Sequence, residues 1–276
     1  MRMQKNKDNI SEILEFIYSK YNKREFVHPD PLEFLYKYTE KEDIELVGLI
    51  SSSLALGRVE RILSAIEYIL KPLGKQPSKT LKTFTRKDLN EIYKDFTYRF
   101  FTTEDIVKLL MSIKTIKEKY LSIENLFHNI YKKNKNFIAS LDELITQMEN
   151  VNKEPFGMIL PKPSKGSACK RLFLFLRWMI RKDNVDLGIW NKINPSNLII
   201  PMDTHMRDIS AKLFNLQNTK NVSLKRAIEV TKYFLEQNKD DPVKYDFSLT
   251  RFGINKSFNK KELFTNIFNF KTNDFL

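Results

Sequence analysis

Cysteine is almost absent from this sequence: a single one, Cys169, occurs in 276 residues. One thiol cannot form a disulfide within the chain, and it cannot supply the several thiolates of an iron–sulfur cluster or a cysteine-rich zinc site. Those classes of protein are excluded, and a cytoplasmic protein is expected.

Long apolar runs are absent and glycines are few. The N-terminal stretch MRMQKNKDNISEILEF is charged and lacks the apolar centre of an export signal. The longest apolar run is interrupted at Arg177, far short of a membrane span. The seven glycines mostly separate periodic segments and form no flexible linker. We therefore expect no membrane partner, and any domain boundary should be a cleft between packed helices.

Basic residues are in excess. The chain has 47 Lys and Arg against 34 Asp and Glu, which gives a net charge of +13. Such a charge either spreads over a solvated surface or is focused on one face, where it attracts a phosphate backbone. The charge alone does not choose between these two interpretations.

Helical periodicity dominates the chain, and strand patterns are scarce. The predicted helices cover residues 9–21, 43–56, 59–70, 103–120, 123–132, 135–150, 167–182, 204–214, 223–238 and 242–252. The predicted fold class is all-α.

One stretch, KGSACKRLFLFLRWMIRK (165–182), is apolar around most of a helix but carries basic residues. At about 100° per residue, Lys170, Arg177 and Arg181 fall within about 40° of one another and form one narrow stripe. This stripe must face water, a counter-anion or a substrate. A lysine here ordinarily extends its amine to water at the edge of the core. Desolvation beside Arg171 and Arg177 would instead favour the neutral amine, which is a nucleophile.

The motif IIPMDTHMRDISAKL places Asp203 directly before a predicted helix, 33 residues after Lys170. Aspartate at this position ordinarily caps the helix by accepting backbone N–H bonds. A carboxylate at the positive end of a helix also stays ionised and is held in a fixed position, where it can stabilise a nearby cation. A lysine and an aspartate in one cleft would supply a nucleophile and an electrostatic stabiliser.

The order of these elements resembles the helix-hairpin-helix DNA glycosylase superfamily, in particular its 8-oxoguanine glycosylases. That order is a helix, a glycine-containing turn, a lysine-bearing helix, and a proline-preceded aspartate that opens the next helix. LVGLISSSLALGRVERIL (46–63) looks like an early helix of that superfamily, and FTYRFFTTEDIVKLL (96–110) looks like its Tyr-Arg segment. Through REFVHPDPLEFLY, GSACKR, PMDTH and DPVKYDFSLTRFGI, the chain also resembles a bacterial family of conserved hypothetical proteins placed near the superfamily.

The resemblance implies a two-lobed helical glycosylase-like fold with a modified helix-hairpin-helix and an active-site cleft between the lobes. It assigns residues 41–182 to a contiguous domain that contains the hairpin, and residues 1–40 with 183–276 to a second domain. The implied activity is that of a bifunctional DNA glycosylase and AP lyase, metal-independent and without a cofactor. Its implied partner is double-stranded DNA with a damaged base, such as an oxidised purine, bound by a monomer in the cytoplasm or, in a bacterium, the nucleoid.

The resemblance also implies catalytic roles. Lys170 would attack C1′ of the nucleotide, and the Asp203 carboxylate would stabilise the developing positive charge. The superfamily's hairpin is a Gly-x-Gly turn, whereas here only Gly166 remains. The catalytic lysine of the superfamily usually follows the last hairpin glycine by two residues, whereas Lys170 follows Gly166 by four. Lys165 is therefore the alternative candidate for the nucleophile.

Further residues are expected around this site. The candidates for DNA contacts are Lys162, Lys165, Gly166, Arg177, Arg181 and His205. The candidates for the base pocket are Ser52, Ser53, Trp178, Trp190, Phe247 and Phe252. Each of the serines and aromatics has a structural alternative, a helix end or a place in the core. Tyr98 and Arg99 are expected to be structural.

Two other classes of function stay open. The altered hairpin favours a non-catalytic nucleic-acid-binding module that keeps the helical architecture. A helical protein with a small-molecule or protein partner has no motif in its favour. A Lys170 sealed in a buried ion pair would favour this last class, whereas Lys170 and Asp203 facing one cleft lined by basic residues would favour the glycosylase.

Overall fold

The computed structural model describes residues 2–217 and 221–254 of the chain. This part is predominantly helical, which confirms the all-α prediction at the level of class. The α-helices are α1 (Arg2–Tyr21), α2 (Lys41–Ser53), α3 (Val59–Leu70), α4 (Pro77–Thr83), α5 (Arg86–Ile92), α6 (Thr103–Tyr120), α7 (Ile123–Asn134), α8 (Phe137–Asn150), α9 (Lys170–Ile180), α10 (Thr204–Leu213), α11 (Leu224–Gln237) and α12 (Asp246–Ile254). Short 3-10 helices cover Arg24–Phe26, Pro31–Lys37, Lys71–Leu73, Pro163–Lys165 and Pro195–Asn197.

Two short strands interrupt the helical pattern. The strands β1 (Thr97–Tyr98) and β2 (Phe101–Thr102) pair antiparallel, with Tyr98 opposite Phe101. The turn between them consists of Arg99 and Phe100, and Arg99 has a φ of 54°. The Tyr98 hydroxyl donates a 2.6 Å hydrogen bond to the Leu56 carbonyl, which ties the hairpin to the α2–α3 loop.

The helices pack around one continuous set of buried apolar side chains. Helices α6, α7 and α8 pack on one another, and α2 packs on both α9 and the 3-10 helix Pro31–Lys37. Helices α1 and α10 pack on α12, and α1 also contacts α11. The core thus runs through both predicted domains, and the division into 41–182 and the remainder stays a prediction.

The predicted hairpin segment lies between the end of α8 and the start of α9. Within residues 151–169 it holds one 3-10 turn, Pro163–Lys165, followed by Gly166 in the left-handed region with a φ of 80°. The Gly166 carbonyl accepts a hydrogen bond from the Leu224 N–H, so the turn is fastened to the start of α11. Within residues 2–217 and 221–254, no helix has the combination of length and hydropathy that a membrane span requires.

The C-terminal half of α9 is anchored by buried ion pairs. Arg177 and Arg181 each have a side chain that is 3% exposed. Arg177 contacts Asp186 and Asp246, and Arg181 contacts Asp186 as well. Arg181 also contacts two further carboxylates: its Nη2 lies 2.9 Å from Asp183 Oδ2, and its Nε lies 2.7 Å from Asp241 Oδ2. These pairs join α9 to the chain that follows it and to the start of α12.

Asp186→Asn is expected to lower the free energy of unfolding by about 3 kcal/mol or more, because it leaves the Arg177 and Arg181 charges buried with one carboxylate fewer. Denaturant unfolding measures the change. Glu91→Gln is the matched control, since Glu91 pairs with Lys94 at an exposed site, where an ion pair adds little. Equal effects of the two substitutions would contradict this role for Asp186.

Candidate active site

Lys170 is the first residue of α9 rather than an internal one. Cys169 before it adopts a left-handed conformation, with a φ of 45°, which starts the helix three residues later than the predicted Ser167. The apolar residues of α9 are buried, apart from Leu174, which is half-buried. The Lys170 side chain is 32% exposed, so its amine stands at the edge of the core and is not sealed.

Asp203 lies directly opposite this amine. The Lys170 Nζ and the Asp203 Oδ2 are 2.8 Å apart. The other carboxylate oxygen accepts a 2.9 Å hydrogen bond from the Met206 N–H, so Asp203 is the N-cap of α10. The capping role and the contact with Lys170 therefore coexist, because each uses a different oxygen.

The Asp203 carboxylate is held in its ionised form. Burial raises the pKa of this carboxyl. The Lys170 ammonium and the Met206 N–H bond together lower the pKa by more than burial raises it, so the net shift is downward from 3.8. A fixed anion at the N-terminus of α10 also faces the positive end of that helix. Asp203 therefore carries its negative charge at neutral pH.

Lys170 and Asp203 both line a cavity of about 460 Å³. This volume is in the range of small-ligand sites. The walls come from segments far apart in sequence: residues 29–31, the α2–α3 loop, α9, the start of α10, and α12. His205 lies on the same wall, two residues after Asp203.

The turn residues predicted to bind DNA occupy different surroundings. Lys165 and Gly166 are exposed. The amine of Lys162 pairs with Glu149 at 2.6 Å, so its charge is already matched within the protein. Lys165 is therefore the turn lysine that stands in solvent.

The prediction that Arg177 and Arg181 contact DNA is wrong. Both side chains are 3% exposed and paired with carboxylates, so their charges are matched within the protein, although Arg177 also borders the cavity. The stripe therefore faces counter-anions, one of the alternatives that its spacing left open. The partner carboxylates come from residues 183–186 and 241–246, which helical periodicity within 165–182 could not indicate.

The six residues predicted to form a base pocket are all buried, and none of them lines the cavity. Trp190 donates a 2.9 Å hydrogen bond to Glu45, and Phe247 packs beneath the guanidinium of Arg251. The others in this group are Ser52, Ser53, Trp178 and Phe252. They fill the core, as most aromatic residues of a phenylalanine-rich chain must.

Arg99, which was expected from the sequence to be structural, is an exposed basic residue at the rim of the cavity. Gly57 lines the cavity, and a Cβ placed on it would lie 2.8 Å from the Arg99 Nη1. Arg99 therefore lies against the rim, with the 63% exposed Phe100 beside it. Arg58 and Arg61 are exposed at the start of α3. The β1–β2 turn that delivers Arg99 carries no glycine, so the usual turn signal is missing.

In the described part of the chain, no group of three or more His, Cys, Asp or Glu side chains is arranged to hold a metal ion.

A family model described as "Protein of unknown function (DUF2400)" matches residues 30–255. The chain belongs to this family. No match was found among curated proteins or among solved structures.

Proposed function

We propose that this protein is a DNA repair glycosylase with an associated AP lyase activity, which excises a damaged base such as an oxidised purine. The observation that carries the proposal is the Lys170–Asp203 pair, 2.8 Å apart on the wall of a cavity of about 460 Å³. An amine and a fixed carboxylate on a concave surface are the groups that base excision through a Schiff base requires. The base itself would leave the duplex and enter the cavity.

The chemistry follows from the two side chains. The Lys170 ammonium loses a proton, and the neutral amine attacks C1′ while the C1′–N bond to the base breaks. The base leaves with the bonding electrons and takes up a proton. Asp203 stabilises the positive charge that develops on the sugar. Opening of the sugar ring then gives a Schiff base, and loss of a C2′ proton expels the 3′ phosphate by β-elimination.

The DNA-facing surface of this proposal is the rim of the cavity. Arg99 is exposed there beside Gly57. Arg58 and Arg61 are exposed next in sequence to the lining residues Val59 and Ile62, and Lys165 stands on the turn before α9. The turn is fastened to residues 223–224, next to Val222, which lines the cavity. Exposed cations near the opening attract a phosphate backbone and favour a duplex held over it.

Duplex affinity is expected to fall with salt, with a log–log slope that corresponds to about three to six phosphates. Arg99→Gln should reduce the slope by about one, whatever the DNA sequence. Lys133→Gln is the control, because Lys133 is exposed at the end of α7, which does not line the cavity. Titrations at several salt concentrations measure both slopes. Salt-independent binding would favour a small-molecule partner.

The proposal is tested by an excision screen over duplexes that each carry one damaged base. Base release and strand cleavage are followed separately by gel electrophoresis with and without alkali. We expect at least one lesion to be released with strand cleavage in the absence of alkali. Binding without release of any base would replace the proposal by a non-catalytic nucleic-acid-binding protein.

A further inference from the structure

A large apolar side chain is exposed beside the cavity. Phe100 lies in the turn between β1 and β2 and is 63% exposed. Its ring centroid is 5.6 Å from the Cζ of Arg99. The Arg99 guanidinium in turn lies against Gly57, on the rim of the cavity. A molecule at the mouth of the cavity can therefore contact the Phe100 ring.

The turn that carries Phe100 is held in place by its neighbours. The Tyr98 hydroxyl donates to the Leu56 carbonyl. Phe101 is buried, and its ring centroid is 5.2 Å from the Cζ of Arg171. The two phenylalanines therefore differ in role: Phe101 fixes the turn to the body of the protein, and Phe100 stands in solvent.

Three arginines near this turn have no carboxylate partner. Burial raises the pKa of the Tyr98 hydroxyl, and the charges of Arg99 and Arg61 oppose this rise, which places both charges near the turn. Arg58 precedes Arg61 by three residues at the start of α3, about one helical turn. Unlike the buried arginines of α9, all three are exposed, and none forms an ion pair with a carboxylate of the described chain.

The surroundings of Phe100 indicate what binds there. A single exposed aromatic residue is ordinary on a protein surface. An exposed ring among unpaired cations is the arrangement on which unpaired nucleobases stack, while the cations hold the phosphates. A nucleotide supplies both the flat face and the negative charge that this surface complements. Paired bases are covered by their neighbours in the duplex, so the ring fits a base that is not in a stack.

We propose that the Phe100 ring stacks on an unpaired nucleobase of DNA at the mouth of the cavity, while Arg58, Arg61 and Arg99 bind neighbouring phosphates. Single-stranded DNA binds this surface without the opening of a base pair. The inference goes beyond the proposed function, because it shares the rim of the cavity with that function but requires neither the Lys170 amine nor the Asp203 carboxylate.

The experiment compares two single-stranded probes on the full-length protein by fluorescence anisotropy. One probe is fluorescein-labelled oligothymidylate, and the other is a labelled oligomer of the same length made of tetrahydrofuran abasic units. Both carry the same phosphates, only the first carries bases, and neither offers an aldehyde for a Schiff base. We expect the wild-type protein to bind oligothymidylate about 5-fold or more tightly than the abasic oligomer, which corresponds to one stacked base.

Substitutions at Phe100 assign this preference to the ring. Phe100→Ala should remove most of the preference and leave the affinity for the abasic oligomer unchanged, because the arginines remain. Phe100→Trp should keep the preference, and Phe100→Leu should lose most of it, because leucine is apolar but has no flat ring. Phe16→Ala is the matched control and should change neither affinity. Phe16 is an exposed aromatic residue of α1, whose described residues do not line the cavity.

Equal binding of the two probes by the wild-type protein would overturn the stacking role of Phe100. Equal losses on both probes in Phe100→Ala, or a preference kept in Phe100→Leu, would do so as well. Phe100→Leu keeps most of the bulk and decides the question if the alanine variant does not fold.

Failure of this inference is distinguishable from failure of the proposed function, since the probes carry no lesion. A base preference that depends on Phe100, without excision of any lesion, would leave the stacking surface standing and remove the glycosylase. Excision of a lesion without such a preference would do the reverse.

Discussion

Lys170→Gln is expected to abolish both strand cleavage and covalent trapping by borohydride, while duplex affinity stays largely unchanged. A Schiff base forms only through a primary amine, and glutamine keeps most of the side-chain bulk without a nucleophilic nitrogen. The contact with Asp203 can persist in a neutral form, because the amide NH₂ can still donate to the carboxylate. Gel assays of cleavage and trapping, beside a binding titration, separate chemistry from affinity.

Lys165→Gln is the matched control for this experiment. Lys165 is exposed on the turn before α9, whereas the Lys170 amine stands on the cavity wall within 2.8 Å of a carboxylate. We expect Lys165→Gln to leave cleavage and trapping nearly unchanged and to weaken binding modestly. Loss of trapping in Lys165→Gln, with trapping kept in Lys170→Gln, would move the nucleophile to the turn.

Asp203→Asn is expected to lower the rate of base excision by about 100-fold or more, because a negative charge that stabilises the transition state is removed. The free energy of unfolding should change by no more than about 1 kcal/mol, since an asparagine can still cap α10 by accepting the Met206 N–H bond. Single-turnover kinetics and denaturant unfolding give the two numbers. If Asp203→Asn lowered stability and activity in the same proportion, the role of Asp203 would be that of a helix cap alone.

The pH dependence of stability gives an independent check on this carboxylate. Its pKa is lower in the folded protein than the ordinary 3.8, owing to Lys170 and the Met206 N–H acting against burial. The ionised group therefore stabilises the fold above the unfolded pKa, and this contribution is lost as the pH falls through the folded pKa. The stability difference between wild type and Asp203→Asn should shrink below pH 3.8.

Long, periodic helices could be predicted from the sequence, and short ones could not. The bounds of α3 and α6 agree with the prediction, because both have regular apolar spacing over at least three turns. Helices α4 and α5 were missed. Each has seven residues and few buried positions, so periodicity gives no signal over that length. Thr85 and Asp88 form a capping box at the start of α5, and this was a local signal that could have located it.

The candidate site, like the helices, could be predicted from the sequence only in part. The meeting of Lys170 and Asp203 could be anticipated because each belongs to a compact motif and the chain order resembles a known architecture. The partners of Arg177 could not, because Asp246 is far along the chain and only tertiary packing brings it to α9. The cavity wall around Asp246 likewise depends on α12 folding back beside the N-terminal segment.

The most direct test of the Schiff-base account is to identify the trapped amino acid. The wild-type protein is incubated with a duplex that carries a lesion released in the excision screen, and borohydride is added to reduce the Schiff base between protein and DNA. The adduct is then digested, and the modified peptide is sequenced by mass spectrometry. The account predicts a single sugar-linked residue, Lys170, in the peptide that begins α9. An adduct on any other lysine, or release of the base with cleavage and no adduct, would contradict it.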